Sequence, residues 1–226
     1  MPVLADILTS IEAMDHDVLR FVTCRLYHPW LDPLLIWAQE VVVALPILIV
    51  TLIVFAMRRP RRAHRAVFSI AAGFAIAMGI ATVMWATIDR RRPPAVYEHH
   101  LTTPEELANC AAHPEALALR KSVSGSPSFP SRHALSTGLI VTILCLALTR
   151  LRWVAVLYGL FVAVGRVYGA KHWPSDVVVG VTMGALIGWA LWRLAPRIFD
   201  LVGRGHWMRE PSTETETTAD VEAVPS

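Results

Sequence analysis

From Ala66 to Ile88 the chain carries no charged residue. A stretch of that length suits the hydrocarbon core of a bilayer, which takes about 20 apolar residues per helix. Backbone in that medium must satisfy its own hydrogen bonds, so it forms helices or a closed barrel. Further apolar segments run near Leu34–Met57, His133–Thr149, Trp153–Ala170 and Val177–Ala195. Composition agrees with this reading: 54% of the residues are hydrophobic and only 17% charged, against roughly 25% charge in a soluble domain. The expected fold class is an all-α integral membrane protein, a bundle of about five transmembrane helices.

The ends of the chain read differently. Over residues 3–26, Leu4, Ile7, Leu8, Ile11 and Met14 recur at helical spacing. Asp6, Glu12, Asp15, Asp17 and Arg20 interrupt that segment, so it is expected to lie in the interface plane as an amphipathic helix. The same charges break any signal-peptide core. A turn at His28–Pro33 follows, with Trp30 as an aromatic anchor. The expected organisation is residues 1–33 as interfacial helix and turn, 34–197 as the membrane domain, and 198–226 as a cytoplasmic, disordered tail. Glu210–Ser226 holds five acids and no Lys or Arg.

Charge sets the orientation. Between Arg58 and Arg65 stand five arginines, and Arg150 and Arg152 flank another turn. Both runs are expected inside by the positive-inside rule. The tail then lies inside, while loop 89–132 and the connection Lys171–Asp176 lie outside, at the periplasmic or extracellular face of a plasma (inner) membrane. Arg90, Arg91 and Arg92 violate the rule, which calls for another reason to keep them there. A nucleic-acid partner is not expected, since the cations form short runs rather than a continuous face. The three cysteines, Cys24, Cys110 and Cys145, have no CxxC spacing. Cys24 and Cys110 share the outer side and are candidates for a disulfide. Gly73 and Gly79 in the second apolar segment suit close helix packing.

Three clusters reach the outer face under this topology: Arg90-Arg91-Arg92-Pro93, Ser128-Phe129-Pro130-Ser131-Arg132-His133, and Arg166 with His172 and Asp176. Such a set suits phosphate. Guanidinium groups bind phosphate oxygens in pairs and keep their charge. Ser131 after Pro130 reads as a helix N-cap, which aims free N–H groups at an anion. Asp176, four residues after His172, is placed to hold one ring nitrogen and leave the other free to attack. His133 is placed to protonate a leaving oxygen. The bland readings stand beside these: Arg90 and Arg91 as solvated or headgroup-binding, Arg166 as a snorkelling side chain, and His99, His100 and His113 as solvated loop residues.

The motifs resemble the type-2 phosphatidic acid phosphatase (PAP2) family, which shares its core with vanadium haloperoxidases. The family pattern is Lys, six residues, Arg-Pro; then Pro-Ser-Gly-His; then Ser-Arg, five residues, His, three residues, Asp. Here it reads Trp85 to Arg92-Pro93, Pro130-Ser131-Arg132-His133, and Gly165-Arg166 to His172 and Asp176. The resemblance covers roughly residues 66–195. It implies His172 as a nucleophile forming a phosphohistidine, Asp176 as its orienting group, and His133 as acid and then base. It also implies that Arg92, Arg166 and Ser131 hold the phosphate, with no metal or cofactor. Three positions depart. Trp85 replaces the Lys, for which Arg90, Arg91 and Lys171 are the candidate substitutes. Arg132 replaces the Gly, and either adds a phosphate-binding cation, for a second phosphate, or points away. Gly165 replaces a Ser.

The expected function is a lipid phosphatase acting from within the bilayer. Undecaprenyl diphosphate is the leading substrate; phosphatidic acid, phosphatidylglycerophosphate and lipid A phosphates compete. A non-hydrolytic phospholipid binder or transporter and a lipid phosphotransferase are the readings from other classes.

Overall fold

The computed structural model describes residues 2–25, 30–31, 34–35, 41–93 and 127–202. Among them every regular element is helical: α1 (Pro2–Arg25), α2 (Val41–Arg58), α3 (Pro60–Thr87), α4 (Arg132–Ala147), α5 (Arg152–Tyr168) and α6 (Pro174–Leu201). Among the described residues, α3 and α6 are long and apolar enough to cross a membrane. Cys110, loop residues 94–126 with their three histidines, and the tail from 203 onward lie outside the described residues.

The bundle centres on α4 and α6, with α3 against both, α5 beside α4, and α2 beside α3. Glycine sets the α4–α6 separation. Gly180, Gly184 and Gly188 recur every fourth residue and so share one face of α6. A Cβ at Gly180 would lie 2.8 Å from the Ser131 carbonyl, and one at Gly188 2.8 Å from that of Leu139. At Gly184 it would overlap the Leu135 carbonyl, and at Gly138 that of Val181. Small residues thus bring the two backbones into contact. In α3, Gly73 packs closely as expected, against Leu139 and Leu191, whereas Gly79 faces open space.

Two helices outrun their expected limits. Pro60 at the first position starts α3 inside the arginine run, where its fixed φ suits a helix and its missing N–H costs nothing. At the far end α6 continues through Pro196 to Leu201. Pro196 has no N–H for the Trp192 carbonyl one turn earlier. Arg65 of α3 supplies the donor: its Nε lies 2.9 Å from that oxygen, and its guanidinium sits 4.2 Å over the Trp192 ring. Arg65→Ala is expected to cost about 1.5–3 kcal/mol, as for a hydrogen bond from a charged donor. In thermal unfolding, Pro196→Ala should recover much of that loss by restoring the backbone donor. Additive losses would show that Arg65 does something else.

The amphipathic pattern of α1 has a definite orientation. Asp15 and Leu19 are fully buried, while Ile7, Leu8, Ile11, Met14, Val18 and Phe21 are exposed. The apolar stripe therefore faces outward, and the inward face rests on α5 and α6.

Candidate active site

The end of α3, the start of α4, the end of α5 and the start of α6 meet at one end of the bundle. Backbone bonds tie them: Ser128 N–H donates to the Arg90 carbonyl at 2.8 Å, and Ser131 N–H to that of Asp176 at 3.2 Å. The indole of Trp173 donates to the Arg91 carbonyl at 2.9 Å. Segments far apart in sequence thereby become one rigid cradle.

Each expected residue has a definite place. Ser131 is the N-cap of α4, its Oγ accepting from Ala134 N–H at 3.4 Å. The hydroxyl proton stays available to donate. His133 lies in the first turn of that helix, half-buried. Arg166 lies in the last turn of α5 and is buried, as is Arg92. Arg92 Nη1 donates to the Lys171 carbonyl at 3.1 Å. Ala170, with φ of 48°, turns the chain sharply after α5 and delivers His172 into the interior, where it is 1% exposed.

His172 Nδ1 lies 2.8 Å from the Ser128 carbonyl. A carbonyl only accepts, so Nδ1 carries the proton and Nε2 keeps the lone pair. The nearest carboxylate oxygen of Asp176 is 3.9 Å from Nδ1, longer than a hydrogen bond. The ring is thus held by Ser128, not directly by Asp176. The carboxylate stands one step back, fixed by Ser128 Oγ at 2.5 Å, Trp173 N–H at 3.1 Å and Arg90 Nη1 at 2.5 Å. Ser128 ties the two together, its carbonyl on the histidine and its hydroxyl on the aspartate.

Electrostatics favour a neutral imidazole. Burial pulls the His172 pKa below its ordinary value, and the charges of Arg92 and Arg166 push the same way, while Asp176 opposes them. Burial likewise lowers the pKa of Arg92, with Asp176 opposing and Arg132 adding to the shift. The result is an uncharged nucleophilic nitrogen among guanidinium groups, which attracts an anion and leaves the ring able to attack it. Among the described residues no group of three or more His, Cys, Asp or Glu is placed to hold a metal ion.

Two residues have partners that the sequence did not name. Arg90, read as solvated or headgroup-binding, is half-buried and held by carboxylates. It bridges Asp176 and Asp15, the latter at 2.6 Å. Its position within three arginines that break the expected charge rule was the available signal. Arg132 is exposed, its guanidinium 3.9 Å over the ring of Trp85, whose indole donates to the Pro130 carbonyl at 3.1 Å. The residues replacing the Lys and the Gly of the pattern therefore touch one another. Ser128, Ser175 and Asp15 carry roles that no motif signalled.

Comparison with known proteins points the same way. No curated protein sequence matches the chain. A crystal structure described as the first transmembrane PAP2-type phosphatidylglycerolphosphate phosphatase from Bacillus subtilis is similar in fold. Its TM-score is 0.59 at 17% identity, over 84% of this chain and 88% of that one. LpxE from Aquifex aeolicus is similar as well, with a TM-score of 0.52 at 17% identity, over 78% of this chain and 93% of that one. The profile of the PAP2 superfamily matches residues 66–200, a span that holds every residue of the cradle except Asp15. By its bundle, its cradle and that match, the chain belongs to the PAP2 superfamily.

Proposed function

We propose that this protein is a membrane lipid phosphatase working through a phosphohistidine. The observation that carries this reading is His172: buried, its Nδ1 proton committed to the Ser128 carbonyl, its ring beside the charges of Arg92 and Arg166. In the first step Nε2 attacks the terminal phosphorus and its bond to the leaving-group oxygen breaks (the bridging oxygen of a lipid diphosphate, the ester oxygen of a monophosphate), with His133 delivering a proton to that oxygen. In the second, His133 takes a proton from water as its oxygen attacks phosphorus, and the P–N bond breaks. Arg92, Arg166 and the Ser131 hydroxyl hold the non-bridging oxygens. The Asp176 carboxylate stabilises the imidazolium that forms on attack.

Undecaprenyl diphosphate is the leading substrate, cleaved to the monophosphate and inorganic phosphate. Arg132 supports it. This exposed cation, near enough to Arg92 to lower its pKa, would bind a second phosphate beside the one under attack, with Lys171 on the neighbouring turn. In the same reading five helices span an inner membrane, α1 lies in the interface, and the site opens to the periplasmic or extracellular side. The test is inorganic phosphate release in EDTA, by wild type and His172→Gln, from undecaprenyl diphosphate, phosphatidic acid and phosphatidylglycerophosphate. Release by wild type alone supports the reading. Equal release by both would overturn it, and a folded wild type that binds these lipids without hydrolysis would favour the binding role.

The pH dependence has a definite sign. Attack needs the neutral ring, so kcat/KM falls as pH drops through the His172 pKa. That pKa is depressed, so the acid limb should lie below 6.5 once the substrate's own phosphate ionisation is accounted for. An acid limb at or above 6.5 would contradict the burial argument.

A further inference from the structure

Asp15 belongs to no motif and lies on a helix outside the matched span, yet it is fully buried. Its Oδ1 accepts from Ser175 N–H at 2.8 Å. Its Oδ2 accepts from Ser175 Oγ at 2.5 Å and from Arg90 Nη2 at 2.6 Å. Arg90 Nη1 in turn reaches Ser175 Oγ at 2.7 Å and Asp176 Oδ1 at 2.5 Å.

This arrangement answers two local needs. The N-cap of α6 is Trp173, whose indole has no acceptor to offer the first N–H groups of the helix. Asp15 supplies one from another helix. Arg90 is a single cation between two carboxylates, and each of them orients one arm of its fork. The rest of the inward face of α1 touches the same turn. Leu19 packs on Ala170 and Trp173, and the His16 ring lies 4.6 Å from that of Trp173.

We propose that Asp15 is a positioning residue: from α1 it caps α6 and anchors Arg90, and through Arg90 it fixes the Asp176 carboxylate behind His172. Its effect on turnover rests on the phosphohistidine reading, whereas its effect on the geometry of His172 does not. Losing the Asp15 charge lets Arg90 and Asp176 shift relative to the ring, and displacements of about 1 Å in such a site cost on the order of 100-fold in rate.

Asp15→Asn keeps the size of the side chain and an acceptor for Ser175. It is expected to lower kcat about 10- to 100-fold, with KM changed less than about threefold. Asp17→Asn, exposed on the same helix, should match wild type. The effect should vanish in an Arg90→Gln background, because Asp15 acts through that guanidinium. A readout independent of turnover is the NMR resonance of the His172 Nδ1 proton, assigned by its loss in His172→Gln. It should move in Asp15→Asn and stay in Asp17→Asn. An unmoved resonance with unchanged kcat would overturn the proposal, as would losses that add to those of Arg90→Gln. A resonance moved in Asp15→Asn, together with a wild type that hydrolyses no lipid phosphate, would keep the positioning role and reject the phosphatase reading instead.

Discussion

His172→Ala is expected to lower phosphate release by about 10^4-fold or more, and His133→Ala by about 10^2- to 10^4-fold, with different kinetics. Without His172 no covalent intermediate forms, so no burst of leaving group appears with any substrate. Without His133 the attacking Nε2 is intact, since its lone pair is secured by the Ser128 carbonyl on the far side of the ring. What is lost is the proton for the leaving oxygen and later the base for water. A substrate such as p-nitrophenyl phosphate, whose leaving group needs no proton, should therefore still phosphorylate His172 in the His133→Ala variant. The phosphoenzyme should then persist for want of a base, giving a burst of one equivalent of nitrophenolate and a slow steady rate. Rapid-quench kinetics with labelled phosphate reads both. A burst in His172→Ala, or none in a folded His133→Ala that still binds phosphate, would reverse or remove the assigned roles.

How much of this was legible in the sequence depended on the kind of interaction. The all-helical fold, the Ser131 N-cap and the meeting of three distant clusters were visible, because each follows from apolar run length, turn residues or fixed spacing. The partner of the His172 ring was not. Spacing placed Asp176 four residues away, but the nearer acceptor is the backbone carbonyl of Ser128, which no side-chain pattern can announce. Arg90 and Asp15 escaped for a related reason. They form a contact between α1 and the α3 end across a wide sequence separation, and a charge on an amphipathic helix reads as solvated unless its partner is known. On α1 the apolar stripe faces outward, while Asp15 is buried beside Leu19 on the inward face, which periodicity alone does not announce. Trp85 and Arg132 read as two separate departures from the family pattern. In the structure they are one stacked pair, joining the start of α4 to the end of α3.

Gly184→Leu is expected to be the most damaging change away from the catalytic groups. The residue sits midway along the α6 face that touches α4, where even a Cβ would overlap the Leu135 carbonyl. Backbone cannot rotate aside as a side chain can, so the helices must separate along their length. Overpacking a core costs about 1–3 kcal/mol, and a clash with backbone belongs at or above the top of that range. For a chain of this size that is a fall of roughly 6–12 °C in Tm. Activity should fall further than stability alone requires. The same interface carries Gly180 against the Ser131 carbonyl and the bond from Ser131 N–H to the Asp176 carbonyl. Parting α4 from α6 therefore pulls the N-cap that would hold phosphate away from the turn that holds His172. Gly79→Leu is the matched control, since a Cβ there meets nothing within 4 Å. Thermal unfolding and turnover, measured below the lower Tm, separate the two effects. If both glycine variants behave alike, close backbone contact between α4 and α6 does not set the geometry of the site. If Gly184→Leu alone loses turnover while still folded, the spacing of these two helices is part of the catalytic apparatus.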